Sequence, residues 1–470
     1  MDRLTAIDAS FLGQETASSH MHIGAILIFE GPAPAYEDLL DHISGRLNLV
    51  PRYRQKLADS PLQSARPFWV DDPDFNLAYH VRHSALPAPG GSLQLRRTAA
   101  RIFSQQLDRS KPLWELWLVQ GLRDDRFALI SKTHHAVVDG ISGVDIATVL
   151  FDFERQPEPT PAAAPWKPSP QPSAADLVAR NLGAIATEPL RLGRRLIAAI
   201  ERPAEALRGF EEGAQALSEV AAEFANPAPE IPLNVPIGPH RRFDWVAADL
   251  GEFKRIKNAL GGTVNDIVLT VVAGALRGWL RGRGVRTAGL ELRALVPVST
   301  RSAGEHDELG NRITAVRGPL PVYVDDALAR LSVVREAMNG IKASKKALGA
   351  EVIARFNDFA PPTLLAQASR INFSTRLFNL IVTNVPGPQM PLYVLGRELK
   401  LTLPVAFLPP NHALSIAVVS YNGTINFGLL ADYDALDDLD RLAAGIRDSI
   451  AELAEAASAT RAASSLNNHP

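Results

Sequence analysis

The residues whose types and spacing most directly suggest chemistry are His134 and His135, followed by Ala136-Val137-Val138-Asp139-Gly140. An imidazole, with an unperturbed pKa of about 6.5, accepts a proton at neutral pH, and a carboxylate four residues on can orient it or its loop. A strand that delivers an imidazole to a turn is a way to build an oriented general base. The structural alternative is a pair of buried strand histidines followed by an ordinary Asp-Gly turn.

Stepping along the chain gives the elements that must position this pair. Phe127 to Thr133 alternates as a strand, with Phe127, Leu129, Ser131, Thr133 and His135 on one face. Ala128, Ile130, Lys132 and His134 fall on the other, so the two histidines point opposite ways and cannot share a role. Asp139-Gly140 reads as a turn, and Ile141 to Phe153 has helical spacing. Upstream, Pro112-Leu113-Trp114-Glu115-Leu116-Trp117-Leu118 is a strand entered through a proline and a natural antiparallel neighbour, with Trp114 and Trp117 as core or channel-wall residues. His22 to Glu30 predicts a buried strand, Glu37 to Leu47 an amphipathic helix, and Ser92 to Leu107 another helix. His20 and His22 share a strand face but have no further metal-ligating partner nearby in sequence, so they read as ordinary strand residues and no metal is expected.

Seven prolines between Glu154 and Ala175 mark an extended linker. Beyond it, Asp176 to Phe224 has Leu192, Leu196 and Ile200 at helical spacing with arginines interleaved, either an interfacial helix on anionic lipid or a surface helix packed on its own protein. In the second half, Thr263 and Asp266 have capping-box spacing, which gives Asp266 a structural explanation. Asn265 is not explained that way. An amide donor at a helix N-terminus is well placed for a developing oxyanion, if that helix end faces the histidine. Leu292 to Val298 and Asn379 to Thr383 read as strands, the latter leading into the rigid loop Asn384-Val385-Pro386-Gly387-Pro388. Leu414 to Leu430 is a hairpin around Asn422-Gly423, and Leu439 to Leu453 is helical. The domain division is therefore 1–153, carrying the histidine motif, 154–235 as linker and amphipathic helices, 236–456 as a second domain, and 457–470 as a disordered tail.

Composition excludes several classes. The 470-residue chain has a net charge of −2, unlike a nucleic-acid-binding domain, and no cysteine, which removes disulfides, Cys-ligated zinc and a cysteine nucleophile. The N-terminus has no apolar signal-like run, and Ile267 to Leu280 is too short to cross a bilayer, so a protein inside the cell, soluble or lying on a membrane, is expected.

The His-His-x-x-x-Asp-Gly string resembles the signature shared by coenzyme A-dependent acyltransferases and peptide-synthetase condensation domains. Other pieces narrow the resemblance: Leu4 to Phe11, Met21-His22-Ile23-Gly24, Pro112-Leu113-Trp114, Pro236 to Arg242, Val264-Asn265-Asp266, Val296 to Ser299, Asn384 to Pro388 and Ser420 to Gly423. In this order, nearly end to end, they resemble the bacterial wax ester synthase/diacylglycerol acyltransferase family of long-chain O-acyltransferases. Asn426-Phe427-Gly428-Leu429 departs from the carnitine and chloramphenicol acyltransferases, which have an acidic residue and a second glycine there, so that loop's role does not transfer.

The resemblance implies an α/β fold of two similar-sized domains, each a mixed sheet flanked by helices, with a channel between them. It implies His135 as general base, His134 and Asp139 as supporting residues, Asn265 as a match to the family's Asn-Asp motif, and Gly140, Asp266, Pro112, Trp114, Asn384, Pro386 and Gly387 as motif positions. The implied partners are long-chain acyl-CoA as substrate, with no separate cofactor, diacylglycerol or a fatty alcohol as acceptor, and the inner face of the membrane or a lipid droplet as the surface. Two other classes stay open: a stand-alone condensation-type enzyme using carrier-bound acyl groups, and a non-catalytic lipid-binding homologue.

Overall fold

The computed structural model describes residues 1–59, 66–137, 149–157, 166–180, 226–299, 313–347 and 373–466. Asp139, Gly140 and most of the arginine-rich stretch fall outside these residues.

The N-terminal half runs β1 (Asp2–Arg3), α1 (Ala6–Gln14), β2 (His22–Phe29), α2 (Tyr36–Ser44), β3 (Gln55–Ala58), β4 (Phe68–Asp71), α3 (Leu77–His80), β5 (Val81–Ala85), α4 (Ser92–Phe103), β6 (Trp114–Gln120) and β7 (Phe127–His134). The C-terminal half runs β8 (Arg241–Asp249), α5 (Leu250–Leu260), α6 (Val264–Gly282), β9 (Leu292–Ser299), β10 (Ile313–Leu320), α7 (Ala327–Ala347), β11 (Leu380–Pro386), β12 (Tyr393–Val394), β13 (Arg397–Val405), β14 (Leu414–Tyr421), β15 (Thr424–Asp432) and α8 (Leu439–Leu466).

Two six-stranded sheets dominate, in the orders β12-β13-β2-β7-β6-β5 and β10-β9-β11-β14-β15-β8. Both are mixed: β5 pairs parallel with β6, and β11 pairs parallel with β9 and β14, among otherwise antiparallel ladders. The mixed sheets and flanking helices match the expected fold class. β7 lies between β2 and β6, so all eight of its residues are buried and both faces of the alternation meet protein. α6 is apolar nearly all round because it is enclosed by the second sheet, α7 and α8. Among the described residues no single helix is long and apolar enough to cross a membrane.

One expected boundary changes, and the two sheets are not divided as the two domains were. The span 236–456 does not form one sheet, because β13 crosses back and pairs antiparallel with β2, Leu403 opposite Ile26 and Val405 opposite Gly24. Apolar residues on both faces of β2 need a neighbour on that edge, and β13 supplies it. The tail expected to be disordered from 457 is helical as far as Leu466, because α8 continues and still buries Ala457 in the second core.

The sheets meet through a shared cluster in which Ile26, Ile130 and Phe103 pack with Phe243, Leu403 and Leu430. Gly428 of β15 lies at this junction. A Cβ there would stand 1.8 Å from the Pro404 carbonyl oxygen of β13, so only glycine permits the approach.

Candidate active site

The backbone at the end of β7 separates the two histidines before any side-chain contact does. His134 N–H donates to the Leu113 carbonyl on one side (3.0 Å), and His135 N–H to the Met21 carbonyl on the other (3.0 Å). His135 to Val137 then form a 3₁₀ turn. The side chains follow this alternation, as strand parity predicted.

His135 is half-buried in an aromatic setting. Its ring stacks on Phe11 of α1, centroids 4.0 Å apart, and meets Phe407 edge-on at 5.6 Å. Phe373 contacts both phenylalanines. Phe11 comes from the N-terminal half and Phe407 follows β13, so the imidazole stands where the halves meet. Burial among these rings pushes its pKa down to about 4, leaving it neutral at physiological pH. Its Nδ1 is buried and has no hydrogen-bond partner among the described residues.

His134 is fully buried on the opposite side. Its Nδ1 accepts the Ala136 N–H at 3.0 Å, closing the turn that carries His135. Burial, with help from the Arg109 charge, lowers its pKa to about 3. A neutral imidazole accepting at Nδ1 carries its proton on Nε2, which lies 3.8 Å from Glu15 Oε2. His22, directly opposite His134 in the ladder, turns its Nε2 to the other carboxylate oxygen at 3.7 Å. His20 is tied to the Ala17 carbonyl at 2.9 Å. Lys132, on the same face of β7 as His134, is buried and held by the Ile102 and Gln105 carbonyls and by Glu115, all at 3.1 Å.

Pro112 and Trp114 are buried supports. The Trp114 indole N–H donates to the Tyr53 carbonyl at 2.8 Å and its ring stacks on His80, so it belongs to the core. At the start of α6, the Thr263 hydroxyl accepts from Asp266 N–H and the Asp266 carboxylate accepts from Thr263 N–H at 2.8 Å. This is the expected capping box, and it accounts for Asp266 structurally.

Asn265 is half-buried and meets Asn384, whose Nδ2 donates to Asn265 Oδ1 at 3.4 Å. Two motif pieces far apart in sequence thus come together, although among the described residues Asn265 makes no hydrogen bond to His135. The loop Pro386 to Pro388 is pinned on the β14–β15 hairpin. Gly387 N–H donates to the Ser420 carbonyl at 3.0 Å and Asn422 N–H to the Pro388 carbonyl at 3.0 Å. A Cβ on Gly387 would sit 2.3 Å from that Ser420 oxygen, which explains the glycine. Asn422 and Gly423 both have positive φ, the type I′ turn expected.

The sequence profile of the wax ester synthase/diacylglycerol acyltransferase catalytic domain matches residues 4–268, and that of the WS/DGAT C-terminal domain matches residues 309–454. The chain belongs to the wax ester synthase/diacylglycerol acyltransferase family. A Mycobacterium tuberculosis protein named a probable diacylglycerol O-acyltransferase is 34% identical over 464 residues, 96% of each chain. A second from that organism, with the same description, is 32% identical over 97% of this chain and 99% of its own. The solved structure of a wax ester synthase/diacylglycerol acyltransferase from Marinobacter aquaeolei VT8 is 26% identical, with a TM-score of 0.65, over 97% of this chain and 100% of that one. The first condensation domain of the calcium-dependent antibiotic synthetase shares the fold at 17% identity and a TM-score of 0.55, over 97% of this chain and 96% of that one.

Sequence reasoning gave no role to Phe11, Phe407, Glu15 or Arg109. Phe11 stood within a family-like piece of sequence, which was a signal. The other three come from segments whose proximity only the fold reveals.

Proposed function

We propose that this chain transfers a long-chain acyl group from acyl-CoA to the hydroxyl of diacylglycerol, of a long-chain alcohol, or of both, in a ternary complex with His135 as general base. The observation that carries this reading is a neutral, half-buried His135 at the meeting of the two halves in a member of this family. With Nδ1 buried, proton uptake falls to Nε2. An aliphatic hydroxyl is far less acidic than imidazolium, so its proton moves to Nε2 as its oxygen attacks the thioester carbonyl. General-base assistance of this kind supplies ~10²–10⁴-fold. The tetrahedral intermediate collapses with cleavage of the C–S bond, and His135 returns the proton to the thiolate, releasing the ester and CoA. With no cysteine and no Gly-x-Ser-x-Gly turn in the sequence, direct transfer needs no acyl-enzyme.

Asn265 is the proposed oxyanion donor. Its carbonyl oxygen is engaged by Asn384, which leaves its NH₂ group for the substrate. His134 supports the turn, and Asp139 is assigned to orienting the loop after it. No cofactor takes part, and acyl-CoA is a substrate. Both substrates are amphipathic or apolar, which fits an enzyme working on the inner face of the membrane or on lipid droplets without spanning a bilayer.

Purified protein is incubated with labelled palmitoyl-CoA and a panel of diacylglycerol, hexadecanol and other hydroxyl acceptors. Labelled triacylglycerol or wax ester is expected, without any carrier protein, and its loss is expected in His135→Ala. Turnover only with a carrier-bound acyl group identifies a condensation-type enzyme. Acyl transfer that survives His135→Ala removes His135 as the base.

A further inference from the structure

The buried face behind the proposed base holds a group that the mechanism above does not use. Glu15 is the C-cap residue of α1, four residues after Phe11, and its side chain is only 5% exposed. A carboxylate is unfavourable there on two counts, because burial opposes its charge and a helix C-terminus repels it. One strong partner offsets this. Arg109 Nε donates to Glu15 Oε2 at 2.7 Å, while its Nη2 donates to the Leu12 carbonyl of the same helix at 2.5 Å. The Nε2 atoms of His22 and His134 also face the carboxylate, at 3.7 and 3.8 Å. Neither of these nitrogens has a direct hydrogen-bond partner among the described residues. Separations of this length suit one bridging water or a through-space attraction to an N–H.

We propose that Glu15 is a positioning residue for His135, acting through the tautomer of His134 and through Phe11. A negative charge facing Nε2 favours the proton on that nitrogen and leaves Nδ1 as an acceptor. Nδ1 then holds the Ala136 N–H at 3.0 Å and closes the turn on which His135 stands. In the opposite tautomer, Nδ1–H and the Ala136 N–H would be two donors facing each other, and the turn would open. The same carboxylate, through Arg109 and the Leu12 carbonyl, ties down the end of the helix that presses Phe11 against His135. One group thus fixes both the backbone carrying the base and the ring lying on it. The inference rests on the assignment of His135 as the base.

The test uses the full chain with ¹⁵N-labelled histidine. The His134 imidazole resonances, identified by their loss in His134→Asn, are expected to report the Nε2–H tautomer. Glu15→Gln keeps the shape and removes the charge. It is expected to shift His134 toward the Nδ1–H form and to lower kcat about tenfold, a part of the ~10²–10⁴ that general-base catalysis supplies. KM for palmitoyl-CoA should stay unchanged, and Glu15→Asp, which keeps the charge, should recover most of kcat. A Glu15→Gln protein with the wild-type tautomer and undiminished kcat overturns the proposal. So do equal losses in the Asp and Gln variants with no change in tautomer, which would make Glu15 a packing residue. His135→Ala separates the two ideas. If transfer survives that substitution, the base assignment fails, whereas the tautomer shift in Glu15→Gln still measures the hold of Glu15 on His134.

Discussion

The ring of Phe11 lies on the imidazole of His135, centroids 4.0 Å apart and planes 26° from parallel, so the proposed base is covered on one face by a residue from the opening turns of the chain. Removing that cover admits water to the imidazole and weakens the desolvation that holds its pKa down. Phe11→Ala is therefore expected to raise the pKa of His135 toward its ordinary value and to lower kcat, while Phe11→Tyr keeps the stack and most of the activity. The cost in stability should be about 1–2 kcal/mol, below the value for full burial because Phe11 is half-buried. Chemical denaturation and the pH dependence of kcat/KM check the two effects separately.

For the wild-type enzyme, the acid limb of kcat/KM belongs to protonation of the free base. With the His135 pKa near 4, activity should hold as pH falls through 6.5 and decline only toward about 4, wherever the protein stays folded. An acid limb centred at the ordinary histidine value would show that the acting base is not this buried imidazole.

Stability should respond over a higher window than activity. Seven histidines, His20, His22, His42, His80, His134, His135 and His412, have folded pKa values below the usual one because they are buried. The unfolded chain therefore binds more protons, and stability rises with pH over this range. Their contribution is intact above about pH 6.5 and is lost progressively below it, toward the values of about 4 and about 3 for His135 and His134. Glu15 and Asp244, whose pKa values are raised by burial, act in the opposite sense but are fewer. Tm should fall between pH 7 and pH 5, and a flat or rising Tm would contradict the burial of these rings.

Asn265 and Asn384 should behave as a pair. Asn265→Ala is expected to lower kcat by about 10²–10³ with little change in KM, the loss typical of a single oxyanion donor. Asn384→Ala frees Asn265 to rotate and should cost less. The double variant should be no worse than Asn265→Ala alone, because the second residue acts through the first. Losses that add in the double variant would show that the two residues serve separate ends.

Strands β2, β6, β7, β9 and β11, the Asn-Gly hairpin and the Thr263–Asp266 cap were legible because each is written in local periodicity or in a short spacing. The opposition of His134 and His135 was legible for the same reason, since strand parity needs no tertiary information. The surroundings of His135 were not. Phe11 and Phe407 are far apart in the chain and meet only through the folded sheets, and no periodicity encodes that. The exchange of β13 was hidden too, because its partner β2 stands in the other half and no local pattern encodes a pairing across that distance. The end of α8 was misjudged because alanine-rich sequence after Ala456 resembles a solvated tail while still suiting a helix.

That exchanged strand also governs how the protein can be made. Glu398 N–H bonds the Glu30 carboxylate across 368 residues, and the ladder between β2 and β13 spans a similar separation. At ~5–20 residues per second, a ribosome leaves β2 without this neighbour for on the order of tens of seconds. Throughout that time the nascent N-terminal half exposes an apolar strand edge able to pair with another chain. The N-terminal half expressed alone should thus be captured by chaperones or aggregate, and co-expression with the C-terminal half should restore its solubility.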